Sequence, residues 1–272
     1  MKQLFYIKNE DQSENTRDVL LLIVGSTYCS FAVFNHASKE LLQFGYYSMD
    51  NGENISTLFD LHAELKEPFF QTVVAYDTDE AQLIPSSYYK YQEAKLHLDT
   101  VYGICPNRII VTEDLPDKKM HTLYRVSADA HDLLNKRFIS GKFWHLNSIY
   151  LNNLQDNPDD AILINFKPAG FSILVFKNGI LQLTNTFYYD TPEDVLYYLL
   201  KICQQCGLSQ QSTKIILSGL IEKDSAIYRE LFKYFIDLHF EQLPGHIKIT
   251  DDFCNYPGHY FTTITKLSQC VS

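Results

Sequence analysis

From Asp18 to Phe34 the chain reads DVLLLIVGSTYCSFAVF, and from Asp160 to Phe176 it reads DAILINFKPAGFSILVF. The two stretches align without a gap at an offset of 142 residues. Leu21 falls on Leu163, Ser30 on Ser172, Val33 on Val175 and Phe34 on Phe176. A repeat of this length predicts two halves built on one plan, with a site between them. It constrains architecture strongly and says nothing of activity.

The periodicities around the repeat predict the elements. Leu20–Val24 is continuously apolar, as a buried central strand is, and Ser30–Phe34 and Leu41–Tyr47 follow as strands. Ile55, Leu58, Phe59, His62 and Leu65 share one helical face, and Thr72–Tyr76 is again strand-like. The second half repeats this order. Ala161–Ile164 and Ser172–Phe176 are strands, and Asn178-Gly179 is a hairpin signal before the strand 180–186. Thr191, Pro192, Glu193 and Asp194 open a helix that Gly207 ends. A strand at Lys214–Ser218 is expected 142 residues after Thr72–Tyr76, and a helix from about Ser225 to His239. The first half holds extra elements: strands at 81–85, 108–112 and 121–126, and helices at 88–101 and 128–138. The polar, Pro-containing stretch 152–160 reads as the boundary, so the expected domains are 1–155 and 156–272.

Bulk properties exclude several classes. At 272 residues and 46% hydrophobic the chain can bury a full core. Its net charge of −10 opposes phosphate backbones, which argues against a nucleic-acid partner. The N-terminal residues turn polar after seven positions, and no apolar run approaches the roughly 20 residues of a membrane span. Six scattered Cys without an export signal read as reduced thiols of a cytoplasmic protein.

Three strands, a helix, a strand and a helix, duplicated in tandem, resemble the actin-like ATPase superfamily, which includes actin, Hsp70 and hexokinase-type kinases. The second half, ILINFKPAGFSILVFKNGILQLTNTFYY, is most similar to the actin-like proteins of type IV pilus assembly. The whole chain resembles a Bacteroidetes family of this superfamily for which no activity is known. The resemblance implies an α/β, duplicated actin-like ATPase (ribonuclease H-like) fold with a cleft between two similar halves.

The resemblance also implies where chemistry would sit. Each half of such proteins opens with an Asp-x-Gly turn. The Gly lets backbone amides reach phosphate oxygens, and the Asp holds Mg²⁺ or orients the attacking water. Here the first turn keeps Gly25, Ser26 and Thr27 but has Ile23 at the Asp position. The second has Asn165 at the Asp position and Lys167 at the Gly position, with Pro168 removing an amide. The Gly-Gly turn that packs on adenosine is reduced to Gly219 after Ser218. Ile cannot bind a metal, and Asn offers a carbonyl oxygen without charge. Lys167 could meet a phosphate directly or simply be solvated.

Other candidates have plainer readings. Cys203 and Cys206 form a Cys-x-x-Cys at the C-terminal end of the expected helix, where the dipole does not activate a thiol, so they read as core. Asp77, Asp79 and Glu80 follow a strand, and Asp251, Asp252, His259 and Tyr260 lie near the C-terminus. Acidic residues there are usually loop or cap residues. The expected function is that of a catalytically degenerate actin-like binding or scaffold module. It has no catalytic residue, no metal and no expected cofactor beyond a vestigial ATP site. Its partner is an unknown protein or a second copy. The alternative is a working ATPase or small-molecule kinase with carboxylates from unusual positions.

Overall fold

A computed structural model describes residues 1–9, 17–50, 53–154 and 156–271. The chain divides into two compact units. The first comprises Met1–Asn153, His246–Asp252 and Ile264–Ser272; the second comprises Leu154–Gly245 and Phe253–Thr263. The sequence reading gave all of 156–272 to the second half, whereas the contacts return two C-terminal pieces to the first. The expected boundary residue Gln155, and most of the polar stretch after β1, lie outside the described residues.

The first unit is built on β1 (Lys2–Lys8), β2 (Asp18–Gly25), β3 (Tyr28–Asn35), β4 (Glu40–Ser48) and β5 (Gln71–Asp77). The sheet order is β1-β4-β3-β2-β5-β9, with β9 at Lys142–His145 and a short β15 (Lys248–Ile249) also pairing with β4. Continuous apolar sequence places β2 and β3 in the middle, where every residue of β3 is buried. Leu20, Leu22 and Val24 enter one core cluster with Leu58, Phe59 and Val74. The expected helix over 55–65 is split into α1 (Ser56–Leu61) and a 3-10 turn over Ala63–Lys66.

An insert carries β6 (Ala81–Pro85), α2 (Ala94–Tyr102), β7 (Arg108–Leu115) and β8 (Met120–Ser127). These strands form a separate sheet in the order β6-β8-β7, with a small core of Ile84, Ala94, Leu98 and Leu123. Helices α3 (Ala128–Arg137) and α4 (Leu146–Asn153) follow. Arg125 of β8 is 1% exposed and ties the insert together. Its guanidinium donates to Glu80 Oε2 at 3.2 Å, to the Gly103 carbonyl at 2.9 Å, and to Asp99. Removing it takes a donor from the Gly103 carbonyl and the shared cation from Glu80 and Asp99. Arg125→Met is therefore expected to open the insert locally, seen as faster hydrogen exchange in β8 and earlier proteolysis between 86 and 105, with the main sheet unaffected.

The second unit holds β10 (Ala161–Lys167), β11 (Gly170–Lys177), β12 (Ile180–Tyr188), α5 (Pro192–Cys206), β13 (Lys214–Gly219), α6 (Ala226–Phe232) and β14 (Leu238–Phe240). The sheet order is β12-β11-β10-β13-β14, the same order and directions as β4-β3-β2-β5-β9. The antiparallel registers also coincide at the 142-residue offset: Ile23 faces Ser30, and Asn165 faces Ser172. The late strand does not keep that offset. Ile23 lies beside Ala75 and Asn165 beside Ser218, so β13 matches β5 at 143 residues. Helix α5 has a full capping box from Thr191 and Asp194 and ends on Gly207 in the left-handed region, as its sequence predicts. The helix expected over 225–239 stops at Phe232, because Leu238–Phe240 instead pair in parallel with β13.

Candidate functional site

In the first turn Gly25 ends β2, and it lacks a Cβ for a reason internal to the fold. A Cβ there would sit 2.4 Å from Cε1 of Tyr28. The Tyr28 ring lies in that space, stacks on Tyr46 with centroids 5.2 Å apart, and donates its hydroxyl to Asp77 Oδ2 at 2.6 Å. Burial, reinforced by the Asp77 charge, pushes the Tyr28 hydroxyl pKa well up, so it stays a donor. Asp77 is 4% exposed, so the carboxylate beside the first turn is held inside. Ile23 is 2% exposed. Ser26 is exposed, and the Thr27 carbonyl accepts from the Met49 amide at 2.7 Å.

A cavity of about 340 Å³ opens beside this turn, within the first unit. Val24, Gly25 and Ser26 line one wall, and Met49, Asn54, Ile55, Tyr76 and Thr78 line others. The insert adds Arg108 from β7, Val126 from β8, and the α3 start at Ser127, Asp129 and Ala130. Ser127 caps α3 by accepting from the Ala130 amide. The cavity lining therefore includes Arg108 as a basic residue and Glu53 and Asp129 as acidic ones. Thr27 does not line it. Among the described residues no group of three or more His, Cys, Asp or Glu could hold a metal ion.

The second turn is closed on itself. Asn165 is 7% exposed, and its Oδ1 accepts from Thr263 Oγ1 at 3.0 Å and, at the long limit of 3.5 Å, from Ser218 Oγ. Ser218 Oγ also donates to the Ile164 carbonyl at 3.0 Å. Gly219 has φ +74°, and a Cβ on it would meet the Phe166 carbonyl at 2.2 Å and Asn165 Oδ1 at 2.6 Å. Close backbone approach thus accounts for this glycine without an adenosine. Lys167 is not a solvated turn lysine: it is 6% exposed at the end of β10, two residues from Asn165 and on the same face. Asn165 and Gly219 are brought together, as are Gly25 and Ser26.

Of the remaining candidates, His259, Tyr260 and Cys203 are held by neighbours within the fold. The His259 ring lies on Phe240 with centroids 4.3 Å apart, its Nε2 is 2.6 Å from the Ile221 carbonyl, and burial lowers its pKa. The Tyr260 hydroxyl donates to Glu222. All six cysteines are free, and Cys203 is buried in the second core, which pushes its thiol up to about 11. Sequence reasoning missed Tyr28, Arg108 and Thr263. None carries a local signal, since each acts through a partner or wall distant in sequence.

Residues 8–238 match the model of a family described as a protein of unknown function (DUF3822). The chain belongs to this family. Among solved structures it is similar to a Bacteroides thetaiotaomicron protein with an actin-like ATPase fold and unknown function. The TM-score is 0.71 at 16% identity, covering 83% of this chain and 91% of that one. A PilM-PilN type IV pilus biogenesis complex also matches, with TM-score 0.59 at 9% identity, covering 94% and 99%. These likenesses show an actin-like ATPase fold, as the repeat and its strand order implied. No curated protein matches the chain. No helix among the described residues is long and apolar enough to cross a membrane.

Proposed function

We propose that this member of the family is a catalytically silent actin-like module that works by binding another protein. One observation carries the reading. Both positions where the superfamily places its metal-holding and water-orienting carboxylates are uncharged and turned to structural use. Ile23 is core, and the Asn165 oxygen is engaged by Thr263. Asp77, which pairs with Gly25 across the sheet, is held by Tyr28. Phosphoryl transfer in such folds rests on positioning a metal and a water, and none of these three groups is free to do so. The PilM-PilN complex is a structure of the same fold joined to a protein partner, which supports a binding role. Six free thiols fit a reducing, cytoplasmic setting.

A second reading is favoured by the cavity. Gly25 and Ser26 still line it, Arg108 could meet a phosphate, and Asp129 and Glu53 supply carboxylates from positions the superfamily does not use. A thermal melt in millimolar MgATP with a phosphate-release assay decides between them. A ligand at 100 times its dissociation constant stabilises a fold by about 2.7 kcal/mol, a shift of several degrees. The expected result is no shift and no phosphate above background. A shift and turnover that both vanish in Ser26→Trp, which fills the cavity from an exposed position, would establish the enzyme instead.

A further inference from the structure

His62 and His121 each stand between a hydroxyl and a carboxylate, and exposure separates them. His62 Nε2 lies 2.5 Å from the Tyr47 hydroxyl, and its Nδ1 lies 3.1 Å from Glu64 Oε1. Tyr47 is 1% exposed, so no substrate reaches that phenol. On the insert the hydroxyl belongs to Ser86, which is exposed. Its Oγ lies 3.3 Å from His121 Nδ1, and His121 Nε2 lies 3.5 Å from Asp114 Oδ1.

The small sheet of the insert sets this arrangement. His121 on β8 pairs with Ile84 of β6 on one side and with Asp114 of β7 on the other. Paired residues share a face, and Ser86 returns to that face after Pro85, because its amide continues the ladder to the Lys119 carbonyl at 2.9 Å. The Tyr89 ring stacks on the imidazole with centroids 3.9 Å and planes 15° apart, which fixes the ring plane. A carboxylate only accepts, so Asp114 favours the tautomer with its proton on Nε2 and leaves Nδ1 to accept from Ser86. The Tyr88 amide donates to the Pro85 carbonyl at 2.9 Å. The Ser87 amide has no acceptor among the described residues, and Ser87 is exposed. The residue after the nucleophile is where serine hydrolases of another fold draw one oxyanion donor.

The geometry points to an ester-cleaving site on the insert, with Ser86 as nucleophile, His121 as its base and Asp114 as a positioning residue. A serine hydroxyl is a weak nucleophile until a neighbouring base takes its proton, and in unliganded sites that contact is often looser than about 3.2 Å. Ser86 Oγ bonds to the carbonyl carbon of the ester as its proton passes to His121 Nδ1. The bond from that carbon to the alcohol oxygen breaks, and the alcohol leaves with the proton from Nδ1. Water then adds to the acyl carbon and gives a proton to Nδ1. The bond to Ser86 Oγ breaks, Oγ takes the proton back, and the carboxylic acid leaves. Asp114 stabilises the imidazolium that exists between the transfers. Its side chain is 64% exposed, so solvent and salt reduce its share. Ser86, Ser87 and Tyr88 are all exposed, and so open a site suits short carboxylic esters with good leaving groups. This chemistry needs no nucleotide and no residue of the two turns, so it is separate from their silence in phosphoryl transfer.

Incubation of the full chain with para-nitrophenyl acetate tests it. Release of nitrophenolate is followed by absorbance, and peptide masses after an acid quench locate the acetyl group. The expected result is acetyl on the peptide that carries Ser86. Ser86→Ala should abolish that label with an unchanged melting temperature, since the hydroxyl is exposed. His121→Gln should slow labelling of Ser86 by about 100-fold or more, the usual contribution of a positioned base. Asp114→Asn should lower kcat and leave KM unchanged, which a merely structural role would not do. An unlabelled Ser86, with acetyl only on lysines, overturns the inference. So does nitrophenolate release that survives in Ser86→Ala, or a Ser86 label that forms as fast in His121→Gln. None of these outcomes bears on ATP, so this inference and the silent-module reading fail separately.

Discussion

Gly219→Ala is expected to destabilise the second unit by about 3 kcal/mol or more, the sum of left-handed backbone strain and forced overpacking. The glycine has φ +74°, where an L side chain costs about 1–2 kcal/mol. The greater part comes from the neighbours. The added methyl would lie 2.2 Å from the Phe166 carbonyl and 2.6 Å from Asn165 Oδ1. The first is backbone of a central strand, and the Leu220 amide donates to that same carbonyl at 3.0 Å. Relief means moving β10 away from β13, which breaks the parallel pair at Asn165 and Ser218. Gly207→Ala is the control. Gly207 has φ +65°, but nothing lies within 4 Å of its added Cβ, so only the strain remains. Denaturant melts of the two variants separate the contributions. A Gly219→Ala loss no larger than that of Gly207→Ala would show that the Phe166 contact yields easily, and would reopen an adenosine-facing reason for the glycine.

The repeat was legible because buried strands write themselves as apolar runs, and two such runs with the same register leave the same letters. Helix α5 was legible from its cap residues. The misses share a cause. β1 reads as mixed because it is an edge strand with exposed lysines, and its order comes from pairing with β4. The helix expected over 225–239 has the right period, yet Leu238–Phe240 gain more by joining β13 than by extending α6. At the site, the resemblance to the superfamily marked Ile23 and Asn165 as the positions to examine, and the sequence shows that neither is a carboxylate. What replaced them was not. Tyr28 reaches Asp77 across 49 residues and Thr263 reaches Asn165 across 98, and no local pattern records either contact. Gly25 of the first turn and Gly219 after the late strand match motif positions of the superfamily in sequence, while in the structure Gly25 makes room for a tyrosine ring and Gly219 for a carbonyl.

Ile23→Asp should be the most damaging single change at the candidate site, with a loss of about 4 kcal/mol or more at neutral pH. Ile23 is 2% exposed in a central strand, and its neighbours across the sheet are Ser30 and Ala75. The change removes apolar burial worth about 1.5–3 kcal/mol and leaves a carboxylate far from water. Desolvation disfavours its ionised form, so the folded-state pKa rises above the ordinary value of about 3.9. A raised pKa fixes the sign: the variant is least impaired below about pH 4 and loses stability as pH climbs toward the folded-state value. Asn165→Asp should behave differently. The Thr263 hydroxyl already donates to the side-chain oxygen and can donate to a carboxylate, which holds the loss to about 1–2 kcal/mol. Melts of both variants at pH 4 and pH 7.5 check the contrast. An Ile23→Asp variant within about 1 kcal/mol of the parent at pH 7.5 would mean that position 23 opens to water, as a metal-holding carboxylate must. That outcome would remove the main support for a silent site. The expected collapse, relieved by acid, would show that the first half of this protein has given its metal position to the core.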